Sequence, residues 1–353
     1  VTSDCTRALD LPCAHGTPVG CGRIRSIPED FIVREWLGFE PDGEGDHWLL
    51  TIRKRGANTQ WVAAQLAKIA KIHPRDIGYA GLKDRNAVAE QAFTVPAKSA
   101  VANWTTVTGE GFEVLRAQRH RRKLKRGALK GNDFEIVVRE FDGDRDALVE
   151  RLSQIAERGV PNYFGPQRFG HDLTNLRRAY AMFRGETVVK DRFVRGFALS
   201  AARARVFNAV LARRVEAGQW NRFVPGDVAN LDGSNSVFVP EAIDATLLER
   251  CERLDIHPTG PLWGAGEPMT RDDARAIEES VVDAHSVLCR GLETAGLKQE
   301  RRSLRIRVGA LEHEIVGRDL RLRFRLGRGA FATAVLHEIL ADAFADDREE
   351  AED

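Results

Sequence analysis

The sequence predicts an α+β protein in which a β-rich domain is interrupted by a more helical insertion and then resumed. Three observations predict this. Up to about residue 143, short segments alternate with period two between turn residues, as half-buried strands do. At Val160-Pro161-Asn162 the composition shifts to glycine, proline and aromatics, and from there to about Arg302 the pattern is helical. Beyond it, strand periodicity returns and runs into a closing helix. The domains are therefore placed at residues 1–158, 159–305 and 306–353, the first and third being parts of one. A length of 353 residues fits two domains at roughly 100–200 residues each.

Taken in order, DFIVRE sets Phe31 and Val33 on one strand face and Ile32 and Arg34 on the other. HWLLTIRKRG is a second strand, closed by Gly56. Asn58 or Thr59 caps the helix WVAAQLAKIAKI, with Val62, Leu66 and Ile69 at helical spacing and Lys68 and Lys71 off that face. His73-Pro74 ends it, because proline disfavours helical geometry in the residue before it. DIGYAG, QAFTVP, GFEVLRAQR and NDFEIVVREF read as strands, and DALVERLSQIAERG as a helix stopped by Gly159. Within the insertion, SAARARVFNAVLARRVEAG and the acidic segment around Asp272–Asp283 read as helices, and GEPM and HPTGPLWGAG as turn-dense loops.

Apolar content of 43% with 30% charged residues describes an ordinary globular chain, and the net charge of +1 makes it neither polycation nor acidic coil. Attraction to nucleic acid must then come from how charge is distributed. No apolar run approaches the ~20 residues of a membrane span, and VTSDCTRALDLPCAHG lacks the apolar core of a signal peptide. The expected location is the cytoplasm. Cys5, Cys13, Cys21 and His15 fit no zinc spacing, and the five cysteines read as free thiols in a reducing compartment. The C-terminal ADDREEAED reads as a solvated, frayed helix end.

Charge is concentrated in RAQRHRRKLKRGALKGN. Arg119, Arg121, Arg122, Lys123, Lys125 and Arg126 fall here with no acid among them. Such a run either neutralises phosphates and releases their counterions or is simply a solvated loop. Asn132 follows it; its amide presents a donor and an acceptor that can pair with a uracil edge, although asparagine there is often only a turn residue. In YAGLKDRN, Asp84 lies between Lys83 and Arg85. An approaching cation favours the ionised carboxylate. Such a group serves as nucleophile, as base toward a sugar proton, or as stabiliser of positive charge at an anomeric carbon. The alternative is a surface turn in which Asp84 caps a helix or pairs with Lys83.

GYAGLKDRNAVAEQAF resembles the signature A-G-x-K-D-x-x-A-x-T-x-Q of the TruD family of tRNA pseudouridine synthases. PEDFIVRE, LKGNDFEIVVR, PNYFGPQRFG, HPTGPLWG, QERRSLR and LGRGAFATAVLHEIL resemble further family segments, in the family's order, from about residue 20 to 340. The resemblance implies a pseudouridine synthase catalytic domain with a mixed, largely antiparallel sheet, interrupted by a TRUD insertion domain with a cleft between them. It implies isomerisation of uridine at position 13 of tRNA by the catalytic Asp84, without metal or other cofactor. Phe31, Asn132 and Phe331 take the places of the family's substrate-contacting residues. Arg25, Lys83 and Arg85 would support the aspartate, and the basic run would meet the RNA backbone. The partner is tRNA, with no membrane and no obligate protein partner, and a monomer is expected. Ala89 stands where the family usually has threonine, Arg25 where lysine is common, and His337 where arginine is usual. Two other classes compete: a catalytically silent tRNA-binding or chaperone protein of the same fold, and a metal-dependent nuclease.

Overall fold

A computed structural model describes residues 10–341. Cys5 and the acidic tail ADDREEAED lie outside the described residues. Compactness divides the described residues into two units, one built from residues 22–142 and 309–329, the other from residues 10–21, 143–308 and 330–341. The sequence reading puts the seams at 159 and 305 instead. The helix Arg145–Arg158 falls in the second unit because its side chains hold that unit together. Buried Arg151 donates to the Thr17 carbonyl at 2.8 Å and to the Glu338 carbonyl. The turn after the helix, at Gly159, leads into Val160–Pro161, which pairs with Arg305–Ile306.

The first unit is one large sheet. Its strands run Val308–Val316, Asp319–Gly327, Gly131–Gly143, Phe31–Trp36, Val88–Pro96, His47–Arg55 and Phe112–His120 in neighbour order. Phe31–Trp36 and Val88–Pro96 pair in parallel; the pairs flanking them are antiparallel. The predicted alternation holds at its first strand, where Phe31 and Val33 are buried. The helix Thr59–Ala70 covers this sheet with Val62, Ala63, Leu66, Ala67 and Ala70, packed on Leu50, Ile52 and Phe93. Asn58 caps it, its side chain accepting from the Trp61 N–H at 2.8 Å. Two details of the expectation fail. Ile69 is exposed, because a stripe of alanines takes the buried face. The helix also stops at Lys71, which adopts left-handed φ of 56°, before the proline is reached.

The second unit is mainly helical. The helix Arg192–Glu216 runs through its core, and its fully buried Ala198, Ala201 and Ala202 let neighbouring elements approach closely. Asp191 caps it, accepting from Phe193 and Val194 N–H at 2.7 and 3.0 Å. HPTGPLWGAG is a loop only in part, since Ile256–Leu262 is a buried strand between Ala229–Leu231 and Glu300–Ser303. Its prolines withhold donors but not acceptors: the Pro258 carbonyl takes the Leu304 N–H at 2.9 Å. Among the described residues, no helix is long and apolar enough to cross a membrane.

Candidate active site

The strands of the large sheet bring one set of side chains to one face. Residues opposite one another across a ladder share a face, and so do residues two apart. Phe31, Val33 and Glu35 therefore lie with Ile136, Phe134 and Asn132, their partners across the antiparallel ladder. Val33 is opposite Ala89, and Ala89 is opposite Lys54, which extends the same face. Ala89 is completely buried there, so the threonine expected at this position would have brought a hydroxyl into that row.

Two of these residues, Glu35 and Lys54, are charges on a largely apolar face, and each holds the YAGLKDRN turn. The Glu35 carboxylate takes the Lys83 ammonium at 2.8 Å, the Ala92 N–H at 2.9 Å and the Gln91 amide at 3.3 Å. Gln91 also donates to the Gly81 carbonyl at 2.8 Å and accepts from the Thr59 hydroxyl, which in turn accepts the Lys83 N–H. The fully buried Lys54 donates to the Ala57 carbonyl at 2.8 Å and to the Asp84 carbonyl. Between them, Lys54 and Glu35 fix both the backbone of residue 84 and the direction of the residue before it.

The two cations beside Asp84 in the sequence therefore do not flank its carboxylate. Lys83 turns inward to Glu35, and Arg85 donates to the Gly56 carbonyl at 3.1 Å. Arg25 lies against Asp84 at 3.8 Å, and the carboxylate remains 37% exposed. Arg25 holds a left-handed φ of 57°, a conformation uncommon outside glycine. Its guanidinium lies 4.5 Å over the Phe31 ring, so one planar cation bridges an aromatic face and the acid. Phe31 is only 5% exposed and also meets Phe134 edge to face at 6.1 Å. Asn132 presents a buried amide oxygen that has no hydrogen-bond partner among the described residues.

Burial pushes the Lys54 ammonium down to about 8, with Asp84 pulling the other way and Lys83 adding to the fall. An amine whose pKa is depressed by folding contributes stability above its unfolded value near 10.5, and loses it as pH falls through about 8. Lys54→Met removes this titration. The difference in unfolding free energy between parent and variant, from urea titrations, is expected to grow in the parent's favour from pH 7.5 to 9.5. A difference that stays constant with pH would mean that Lys54 titrates as an ordinary solvated lysine.

The basic run sits directly against this turn. The Gly127 N–H donates to the Ala80 carbonyl at 2.7 Å, and the Leu124 N–H to the Thr94 hydroxyl at 3.0 Å. Gly78 is required beneath it, since a Cβ there would stand 2.6 Å from the Leu124 carbonyl oxygen. Buried Leu124, packed with Leu49 and Ala92, anchors the loop. Its cations differ in role. Arg121 pairs with Glu44, Lys123 donates to the Arg75 carbonyl, and Arg126 lies 4.4 Å over the Tyr79 ring. Arg119 covers Trp48 at 5.1 Å. Arg122 and Lys125 are exposed and, among the described residues, form no ion pair.

Phe331 belongs to the other unit. Its ring lies 6.1 Å from Phe164, with the guanidinium groups of Arg168 and Arg302 at 5.8 and 6.0 Å. His337, where arginine is usual, is packed beside Leu11 and Tyr163, and burial lowers its pKa. Among the described residues no three His, Cys, Asp or Glu side chains gather as a cation site.

Sequence reasoning missed Glu35, Lys54, Gln91 and Thr59. A signal was present for the first two. Each is a charge in phase with buried residues of its strand, Glu35 with Phe31 and Val33, Lys54 with Leu50 and Ile52. A charge on an inward face demands a partner.

The model for tRNA pseudouridine synthase D (TruD) matches residues 13–195 and 173–339. A tRNA pseudouridine synthase D of Nitrosococcus oceani is 47% identical over 92% of this chain and 91% of its own. The Methylococcus capsulatus protein of the same name is 47% identical over 96% of both. The crystal structure of a Methanosarcina mazei protein described as TruD superposes with a TM-score of 0.70 at 22% identity, over 94% of this chain and 95% of that one, which shows the shared fold. With this geometry and these relatives, the chain belongs to the tRNA pseudouridine synthase D (TruD) family.

Proposed function

We propose that this protein converts uridine to pseudouridine in tRNA, at position 13 of the D-arm, with Asp84 as the catalytic carboxylate. The observation that carries the reading is one juxtaposition. An exposed carboxylate, on a turn held by Lys54 and Glu35, stands beside Arg25 and Phe31 and against a basic loop hydrogen-bonded to Ala80. A uridine must leave its stack to reach such a group, which costs a few kcal/mol. Stacking on an aromatic ring returns about 1–3 kcal/mol of that. Phe31 offers that ring once Arg25 gives up its face. The unpartnered Asn132 oxygen is suited to accept the uracil N3–H, a donor that no water would satisfy in a closed site. Asp84 then either takes the C2′ proton and returns it after C5 has bonded, or attacks C1′ and leaves it as C5 bonds there. The N1–C1′ bond breaks, the uracil turns in place, C5 bonds to C1′, and the proton lost from C5 is balanced by one gained at N1.

The direct test maps pseudouridine in tRNA from cells with and without the protein. A second arm incubates purified protein, tRNA and a chelator with no other cofactor. Pseudouridine confined to position 13 and formed in the chelator supports the reading; cleaved RNA, or product that needs a metal, overturns it.

The loop carries a second test. Neutralising Arg122 and Lys125, which form no ion pair among the described residues, is expected to lower the slope of log affinity against log salt by about two. Neutralising Arg121 instead is expected to change it less, because Glu44 already offsets that charge. An unchanged slope in the double variant would make the run a solvated loop.

A further inference from the structure

In the second unit, two guanidinium groups share one aromatic cluster. Arg168 lies 5.1 Å from the Phe164 ring centroid and Arg302 lies 4.2 Å from it. Burial, and then the charge of Arg168, pushes Arg302 down to about 9. Burial lowers Arg168 as well. Among the described residues Arg168 forms no ion pair; its hydrogen bond goes to the Ser200 hydroxyl at 2.9 Å. Arg168 and Ser200 line a cavity of about 320 Å³ together with Asn175, Phe197, Phe331 and Thr333, and no carboxylate lines it. A cation held in partly dry surroundings beside a second cation is stabilised by an incoming anion. Ser200 accepts from Arg168 and keeps its own hydroxyl hydrogen for an oxyanion placed between them.

The rim of this cavity has a different character. Phe197 is 60% exposed and Phe193 is 82% exposed, four residues apart on the helix Arg192–Glu216. Residues at that spacing neighbour one another on a helix face, and Ser200 continues the same face into the cavity. Two exposed aromatic rings therefore lead to a half-buried cation. An apolar peptide anchor would suit the rings, but it would desolvate the arginines without pairing them. A phosphate with a flat base beside it suits both.

We propose that this unit carries its own nucleotide subsite, in which Arg168 and Ser200 bind an RNA phosphate and the Phe193–Phe197 face stacks the attached base. The subsite rests on the reading of RNA as substrate.

The test uses the full chain with two probes, tRNA and a fluorescein-labelled pentauridylate, followed by anisotropy across a salt series. Phe193→Ser with Phe197→Ser changes exposed positions only, so folding is not at stake. This pair is expected to weaken both probes at least about fivefold, by loss of stacking, with the salt slope kept. Arg168→Gln, checked for a native melting profile, is expected to lower the slope by about one. Affinities within twofold of the parent in the phenylalanine variant overturn the subsite, as does a variant whose only change is a shift from dimer to monomer on gel filtration. Product assays on the same tRNA separate the two readings. A parent that binds through this face but makes no pseudouridine sinks the isomerase and leaves the subsite standing. A parent that makes pseudouridine with indifferent phenylalanines does the reverse.

Discussion

Asp84→Asn is expected to lower the rate of pseudouridine formation at least about a thousandfold, the loss typical when a group acting directly on developing charge is removed, while tRNA affinity stays within about twofold. The structure makes this a clean comparison. The Asp84 side chain accepts the Asn86 N–H at 3.2 Å, and an asparagine oxygen retains that bond. Its contact with Arg25 is long, at 3.8 Å, and the carboxylate is 37% exposed while Arg25 is 7% exposed, so a denaturant titration of the variant is the control that separates chemistry from stability. The turn itself is held through the Asp84 carbonyl by Lys54, which the substitution leaves alone. A fall in rate then reports chemistry, free of any rearranged loop. Product formed at more than a tenth of the parent rate would remove Asp84 from the mechanism. Undiminished binding by a parent that makes no product at all would point to the silent RNA-binding protein.

Lys83→Met has the largest expected effect on stability. Lys83 and Glu35 are 9% and 2% exposed and meet at 2.8 Å. Removing one partner of a buried pair leaves the other charged and dry, a loss of about 3–5 kcal/mol. The lower end is expected, because Glu35 keeps the Ala92 N–H and the Gln91 amide. Adding Glu35→Leu should restore part of the loss, since it removes the stranded charge. Denaturant titration of the two single variants and the double variant gives the coupling between them. If the single variants sum to the double, the pair is not interacting and the turn is held by other means. The pair also explains why a lysine precedes the acid: its role is to pin the turn from beneath, while Arg25 supplies the neighbouring charge.

Much of the molecule was legible in its residues. Alternation in DFIVRE and NDFEIVVREF anticipates two strands, and the cap expected at Asn58 or Thr59 sits at Asn58, where its helix begins. The acid-free run from Arg116 to Lys130 is exposed in large part and lies against the turn that carries Asp84. Other features were hidden for physical reasons. IHPTGPL carries two prolines and a glycine, the local signals of a loop, yet its flanking strands supply the pairing that makes it one. Ile69 has the right spacing for a core position, but alanines pack closer to the sheet and displace it to the surface.

What the residues by themselves determined was the order of most strands and helices outside the insertion, the position of Asp84 on a turn, the concentration of positive charge after Arg116, and membership of a family. These depend on periodicity, capping and motif spacing, which extend over a few residues at a time. Only the tertiary structure decided which charge meets which. Glu35 and Lys83 are 48 positions apart, and Lys54 reaches Asp84 across 30; strand pairing, not chain proximity, sets those distances. Electrostatic interaction depends on separation in space and on the surrounding dielectric, so two cations adjacent to an acid in sequence can face elsewhere while a distant arginine stands beside it.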